Sequence, residues 1–105
     1  MDETNAIFRA LADPSRRAIF ERLTQGELSV KELTASFHIS QPAVSQHLAT
    51  LSKAALVVKQ RDGRKTFYRV APEGLRPLVD WITRYRAFWT ERVDALQTLL
   101  EEIEE

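Results

Sequence analysis

The 105-residue chain has no cysteine, which removes disulfides, thiolate metal sites, thiol redox sensing and a cysteine nucleophile together. It has only two histidines, His38 and His47, too few and too isolated to suggest a metal cluster or a catalytic triad. With neither a phosphate-binding glycine loop nor a carboxylate pair at a usable spacing, a non-enzymatic protein without a cofactor is expected. No apolar run approaches the length of a membrane span. The N-terminal MDETNAIF places acids where a secretory leader needs a basic region and an apolar core. These absences predict a cytoplasmic protein with no membrane partner.

Net charge is also missing: fifteen basic residues balance fifteen acidic ones. A phosphate-binding protein ordinarily carries a basic excess. The balance conceals segregation. Between Ser40 and Val70 stand Lys53, Lys59, Arg61, Arg64, Lys65 and Arg69 against Asp62 alone, while from Glu91 to Glu105 six acids face only Arg92. A chain polarised in this way can present an anion-binding surface at zero total charge.

Hydrophobic spacing and capping signals divide the chain into elements. Ile7, Phe8 and Leu11 mark a first helix, and Asp13-Pro14 caps and opens a second, with Ala18, Ile19, Phe20 and Leu23 inward and Gln25-Gly26-Glu27 closing it. Ser29-Val30-Lys31-Glu32 has the capping-box form and begins a short third helix to about Phe37. Ser40-Gln41-Pro42 caps a fourth, running to about Ala55, whose Val44, Leu48 and Leu51 face the core. Its opposite face carries Pro42, Gln46, Ala49 and Lys53, flanked by Ala43, Ser45 and Thr50, small and polar enough to approach another surface closely. Leu56–Arg61 and Lys65–Val70 read as strands joined at Asp62-Gly63-Arg64, a hairpin with a basic tip. From Leu75 to Ile103 an alternating three-and-four spacing, broken only at Arg92, predicts one long helix over about residues 74–104. It carries more apolar surface than a small domain can cover, so a second copy is expected to cover it.

The order of three helices, tight turn, helix, hairpin and helix predicts a single domain over residues 1–105, mainly α with a small β-hairpin, on the winged helix-turn-helix plan. In that plan the fourth helix enters the major groove of double-stranded DNA and the hairpin touches the flanking backbone. Ser40 and the first helical amides suit a phosphate. Gln41, Ser45 and Gln46 suit base edges, with His47, Thr50 and Lys53 beside them. Arg61, Arg64 and Lys65 suit phosphates or the minor groove.

The segments Leu11-Ala-Asp-Pro-Ser-Arg-Arg-Ala-Ile-Phe, Ser29-Val-Lys-Glu-Leu, Ser40-Gln-Pro-Ala-Val-Ser-Gln-His-Leu-Ala-Thr-Leu and Gly63-Arg-Lys-Thr-Phe-Tyr resemble the ArsR/SmtB family of bacterial repressors, over roughly residues 5–95. The resemblance implies a homodimer through the first and last helices that represses by occupying an inverted-repeat operator. The family's recognition-helix pattern falls on Ser40, Gln41, Val44, Ser45, His47 and Leu48. The interface would include Phe8, Leu78, Trp81, Ile82, Tyr85, Phe88, Trp89 and Leu96. Metal-sensing members carry a cysteine pair in the third helix or histidine and acidic ligands on the last. This chain has Ser29–Lys31 and a histidine-free Trp81–Val93 at those places and resembles the metal-independent branch. The motifs identify no small-molecule inducer. Plainer readings stand beside these: the aromatic stripe as interface core rather than a ligand pocket, the basic hairpin as a guarded sheet edge, and a winged helix that pairs with another protein instead of DNA.

Overall fold

The computed structural model describes residues 2–104. Helix α1 (Asp2–Ala12) is followed by α2 (Pro14–Leu23), strand β1 (Leu28–Ser29), α3 (Val30–Ser36), α4 (Gln41–Lys53), β2 (Val57–Asp62) and β3 (Lys65–Val70). A 3-10 turn (Pro72–Leu75) then leads into α5 (Arg76–Glu104). Each of the three internal caps expected from the sequence forms. Asp13 accepts from the Ser15 amide, Ser40 accepts from the Ala43 amide, and Ser29 and Glu32 satisfy each other's amides reciprocally.

The sheet departs from a simple hairpin. Leu28 and Ser29 pair antiparallel with Tyr68 and Phe67, so β1 adds a third strand in the order β1-β3-β2. Two residues ahead of a helix cap carry no readable alternation, and only the arrival of β3 makes them a strand. The hairpin also closes one residue tighter than expected: Asp62 pairs with Lys65, leaving a two-residue loop. Gly63 takes φ +63 at its first position and Arg64 stays out of the left-handed region, as in a type II′ turn.

One core forms where α1–α4 meet the base of the sheet. Ile7, Ile19, Leu33, Val44, Leu48, Leu51, Leu56 and Val57 are essentially inaccessible there. Phe8, an apolar residue of α1 expected at the dimer interface, is 43% exposed and faces α5. Two arginines hold α1 to α2. Arg16 donates from Nε to the Ala10 carbonyl at 2.6 Å and from its terminal nitrogen to the Arg9 carbonyl, and Arg17 donates to the Leu11 carbonyl at 2.9 Å. They satisfy carbonyls that the end of α1 would otherwise leave open, next to the negative pole of its dipole.

Helix α5 spans 29 residues, about 43 Å at 1.5 Å per residue, and gives the molecule extents of 65 × 30 × 21 Å. The radius of gyration is 18.5 Å, against about 13 Å for a compact chain of this length. Most of α5 therefore projects away from the core that its first turns join. Among the described residues, no helix is long and apolar enough to cross a membrane.

Candidate nucleic-acid interface

Helix α4 is amphipathic in an unusual sense: its outer face is short and polar rather than charged. Val44, Leu48 and Leu51 are fully buried, and Gln41, Ser45, Gln46, Ala49 and Lys53 are exposed. Burial of one face holds the helix against rotation about its axis, so Gln46 and Ala49 project outward at the helix midpoint. Ser45 stands on one flank, while His47 and Thr50 are half-buried on the other side. The Thr50 hydroxyl donates to the Gln46 carbonyl at 3.2 Å, which commits its proton within the helix and leaves it an acceptor. His47 has no close acidic partner among the described salt bridges and hydrogen bonds.

At the start of α4, the hydrogen bonds narrow what was expected of the helix terminus. Pro42 has no amide proton, the Ala43 amide is held by Ser40 Oγ at 3.3 Å, and the Val44 amide by the Ser40 carbonyl at 3.1 Å. The Gln41 amide and the Ser40 hydroxyl proton remain for an outside acceptor, with the helix dipole favouring an anion there. A side-chain amide that joins them, that of Gln41, gives the same corner a longer reach.

The hairpin's basic residues occupy different faces. Arg61 lies across from Thr66, on the strand face that runs back to buried Val57, and its Nε donates to the Gly63 carbonyl at 3.2 Å. Lys65 lies across from Asp62 on the opposite face, close enough to Glu32 of α3 to help lower its carboxyl pKa. Arg64 occupies the turn itself and is exposed. On the shaft, Arg69 Nε donates to Gln60 Oε1 at 3.1 Å, stiffening the hairpin between its tip and its base. Among the described residues, the tip therefore offers Arg64 without a hydrogen bond or ion pair, beside Arg61, whose Nε is committed to Gly63, and Lys65, which lies near Glu32.

Glu32, at the start of α3, has its carboxyl held below the ordinary value, chiefly by accepting the Ser29 backbone amide and then by the Ser29 hydroxyl, with Lys65 and Arg22 contributing through space. It is the cap that orients the helix preceding α4. Among the described residues no three His, Cys, Asp or Glu side chains gather as metal ligands would.

The polar helix face, the tight turn ahead of it and the hairpin behind it can be set beside known proteins. Residues 13–59 match the family described as bacterial regulatory protein, arsR family. Over 94 residues the chain is 42% identical to the HTH-type transcriptional regulator Rv2034 of Mycobacterium tuberculosis, covering 90% of this chain and 85% of that protein. The chain belongs to the ArsR family. It is 30% identical to the transcriptional repressor SdpR of Bacillus subtilis, over 77% of this chain and 90% of that one. An ArsR-like transcriptional regulator from Rhodococcus sp. RHA1 superimposes with a TM-score of 0.75 at 28% identity, over 93% of this chain and 92% of that structure. The ArsR match ends at Lys59, so the wing tip and α5 lie outside it.

The residues expected at a dimer interface divide in two. Leu78 packs on the chain's own core with Leu75, and Trp81 stands edge-on to Phe8 with ring centroids 5.3 Å apart. Ile82, Tyr85, Phe88, Trp89 and Leu96 are all exposed, Trp89 to 63%. The regular spacing read from Leu75 onward is thus one continuous stripe with two different uses: its first turns fasten α5 to the core, and the rest stays exposed among the described residues. Arg16 and Arg17 were legible only as members of a motif. Their structural use depends on a helix end that the sequence does not place in space.

Proposed function

We propose that this ArsR-family chain binds double-stranded DNA in a sequence-dependent way and represses transcription by occupying an operator as a homodimer. The observation that carries the reading is the exposed, short-side-chain polar face of α4, held by three fully buried residues and preceded by a helix start that keeps an amide and a hydroxyl free. In this reading Gln41, Ser45 and Gln46 reach base edges, and Ser40 and the Gln41 amide meet a phosphate. His47, Thr50 and Lys53 line the groove wall, and Arg64, with Arg61 and Lys65, meets the flanking backbone. No step requires a cofactor, a metal or catalysis, and the protein would work in the cytoplasm.

The homodimer reading rests on α5. Ile82, Tyr85, Trp89, Val93, Leu96, Leu100 and Ile103 lie within about 80° of one another around the helix and are all exposed. The helix is also polarised: Arg76, Arg84, Arg86 and Arg92 occur with Asp80 and Glu91 in its first part, while Asp94, Glu101, Glu102 and Glu104 occur with no base after them. An antiparallel pair sets the acidic end of each helix against the basic part of the other, with Ile82 opposite Ile103 and Trp89 opposite Leu96. A parallel pair would stack acid on acid. Phe8 of α1, already against Trp81, extends the same surface. The lack of cysteines and of histidines on α5 supports placement in the metal-independent branch, with any inducer acting by other chemistry.

Fluorescence anisotropy on random genomic duplexes at two salt concentrations, with sedimentation in parallel, tests the reading. A dimer whose affinity falls steeply with salt is expected. A monomer, or a dimer indifferent to DNA at low salt, would transfer the α4 face to a protein partner.

A further inference from the structure

Helix α4 and helix α5 are joined by more than the hairpin that separates them in sequence. At the end of α4 the Leu56 amide donates to the Leu51 carbonyl and the Ala55 amide to the Ser52 carbonyl, both at 3.0 Å, with Ala55 at φ +61. This is a Schellman ending whose left-handed position is filled by alanine instead of glycine. It turns the Ala55 carbonyl toward the 3-10 turn that starts α5. There the carbonyl lies directly on Gly74: a Cβ placed on that glycine would stand 1.6 Å from the Ala55 oxygen and 2.6 Å from its carbon. Gly74 does not sit at positive φ, so proximity alone demands glycine. Two more main-chain bonds bind the same corner, from the Ala71 amide to the Leu56 carbonyl and from the Gly74 amide to the Ala71 carbonyl, both at 2.9 Å. The exit of α4 and the entry of α5 are therefore laced together through backbone atoms, with no flexible side chain to absorb a change.

We propose that Gly74 is a positioning residue for DNA binding: by admitting the Ala55 carbonyl, it sets the angle between α4 and α5, and hence the separation at which two copies present their α4 helices to DNA. The proposal rests on the dimeric DNA-binding reading above. Real Cβ contacts essentially never fall under 3.0 Å, so alanine at this site must displace the Ala55 carbonyl or the turn by at least about 1.4 Å. Neither neighbour is a side-chain end that can swing away. Helix α4 extends about 20 Å from this corner, so a small tilt there moves Gln41 further than it moves Ala55. The two-fold axis of a dimer then doubles the change in separation between recognition helices.

The test begins with duplexes selected by the wild-type protein from a random library, rebuilt as a single half-site and as paired half-sites with one to four base pairs inserted or removed. Gly74→Ala is measured alone and combined with Ala55→Gly, which relieves the strained neighbour and guards against loss of the fold. The expected result is unchanged affinity for the single half-site, a loss of about tenfold at the wild-type spacing, which is the scale of one mismatched base pair, and an optimum moved to another spacing. Three outcomes overturn the proposal: the wild-type spacing profile with only a lower melting temperature, an equal loss on single and paired half-sites, or unfolding in both backgrounds. A wild-type protein that selects no sequence at all refutes the DNA reading itself, before Gly74 is tested.

Discussion

Ala55 offers a direct measure of backbone strain in this fold. An L-residue in the left-handed region brings its Cβ against the following carbonyl, a cost of about 1–2 kcal/mol that glycine escapes. Ala55 takes φ +61 with its side chain exposed, so removing the methyl group sacrifices little packing. Against the relief stands the added freedom of glycine in the unfolded chain, about 0.4–1 kcal/mol. Ala55→Gly is therefore expected to stabilise the protein by about 0.5–1 kcal/mol, raising the melting temperature by about 2–8 °C for a domain of this size. The assay is urea unfolding followed by circular dichroism at a fixed protein concentration, because the proposed dimerisation would make the midpoint depend on concentration. The midpoint should rise with the slope unchanged. A midpoint that stays or falls would refute the reasoning, since it would mean that the methyl group makes contacts worth more than the strain it causes.

Other changes separate the roles assigned to the surface. Gln46→Ala should reduce discrimination between operator and mutated operator by about 1–3 kcal/mol, whereas Arg64→Ala should weaken all duplexes alike and lower the salt slope by about 1; competition titrations at several salt concentrations distinguish them. Trp89→Ala should weaken self-association by about 2 kcal/mol or more, roughly thirtyfold, in sedimentation equilibrium, and an unchanged dimer would remove α5 from the interface. Because the folded Glu32 carboxyl lies below the ordinary value of 4.5, its contribution to stability is fully present above that pH and is lost as pH falls through the lower folded value. Glu32→Gln should therefore be less stable than wild type near neutrality and converge with it in acid, in denaturant melts across that range. Parallel pH profiles for the two proteins would contradict the cap's assigned role.

The local elements were legible because each rests on near neighbours in the chain. Asp13-Pro14, Ser29 with Glu32, and Ser40-Gln41-Pro42 are signals complete within four residues, and the structure caps helices at each. The burial of Val44, Leu48 and Leu51 follows from helical period, and with it the outward placement of Gln46 and Ala49. Several features needed the assembled fold. Strand β1 exists because β3 lies beside it, and two residues have no period of their own. The stripe on α5 reads as uniform, yet Leu75 and Leu78 join the chain's own core while Trp89 and Leu96 do not, since where the core ends depends on how α1–α4 pack. Arg16 and Arg17 look like surface charges until the end of α1 is brought against them. Gly74 looks like a simple helix breaker. Its need for a bare Cα comes from a carbonyl nineteen positions earlier in the chain, a contact that only tertiary structure creates. Periodicity and capping act over one or two turns and can be read in order along the sequence; close approaches between distant backbones depend on the packing of every element between them.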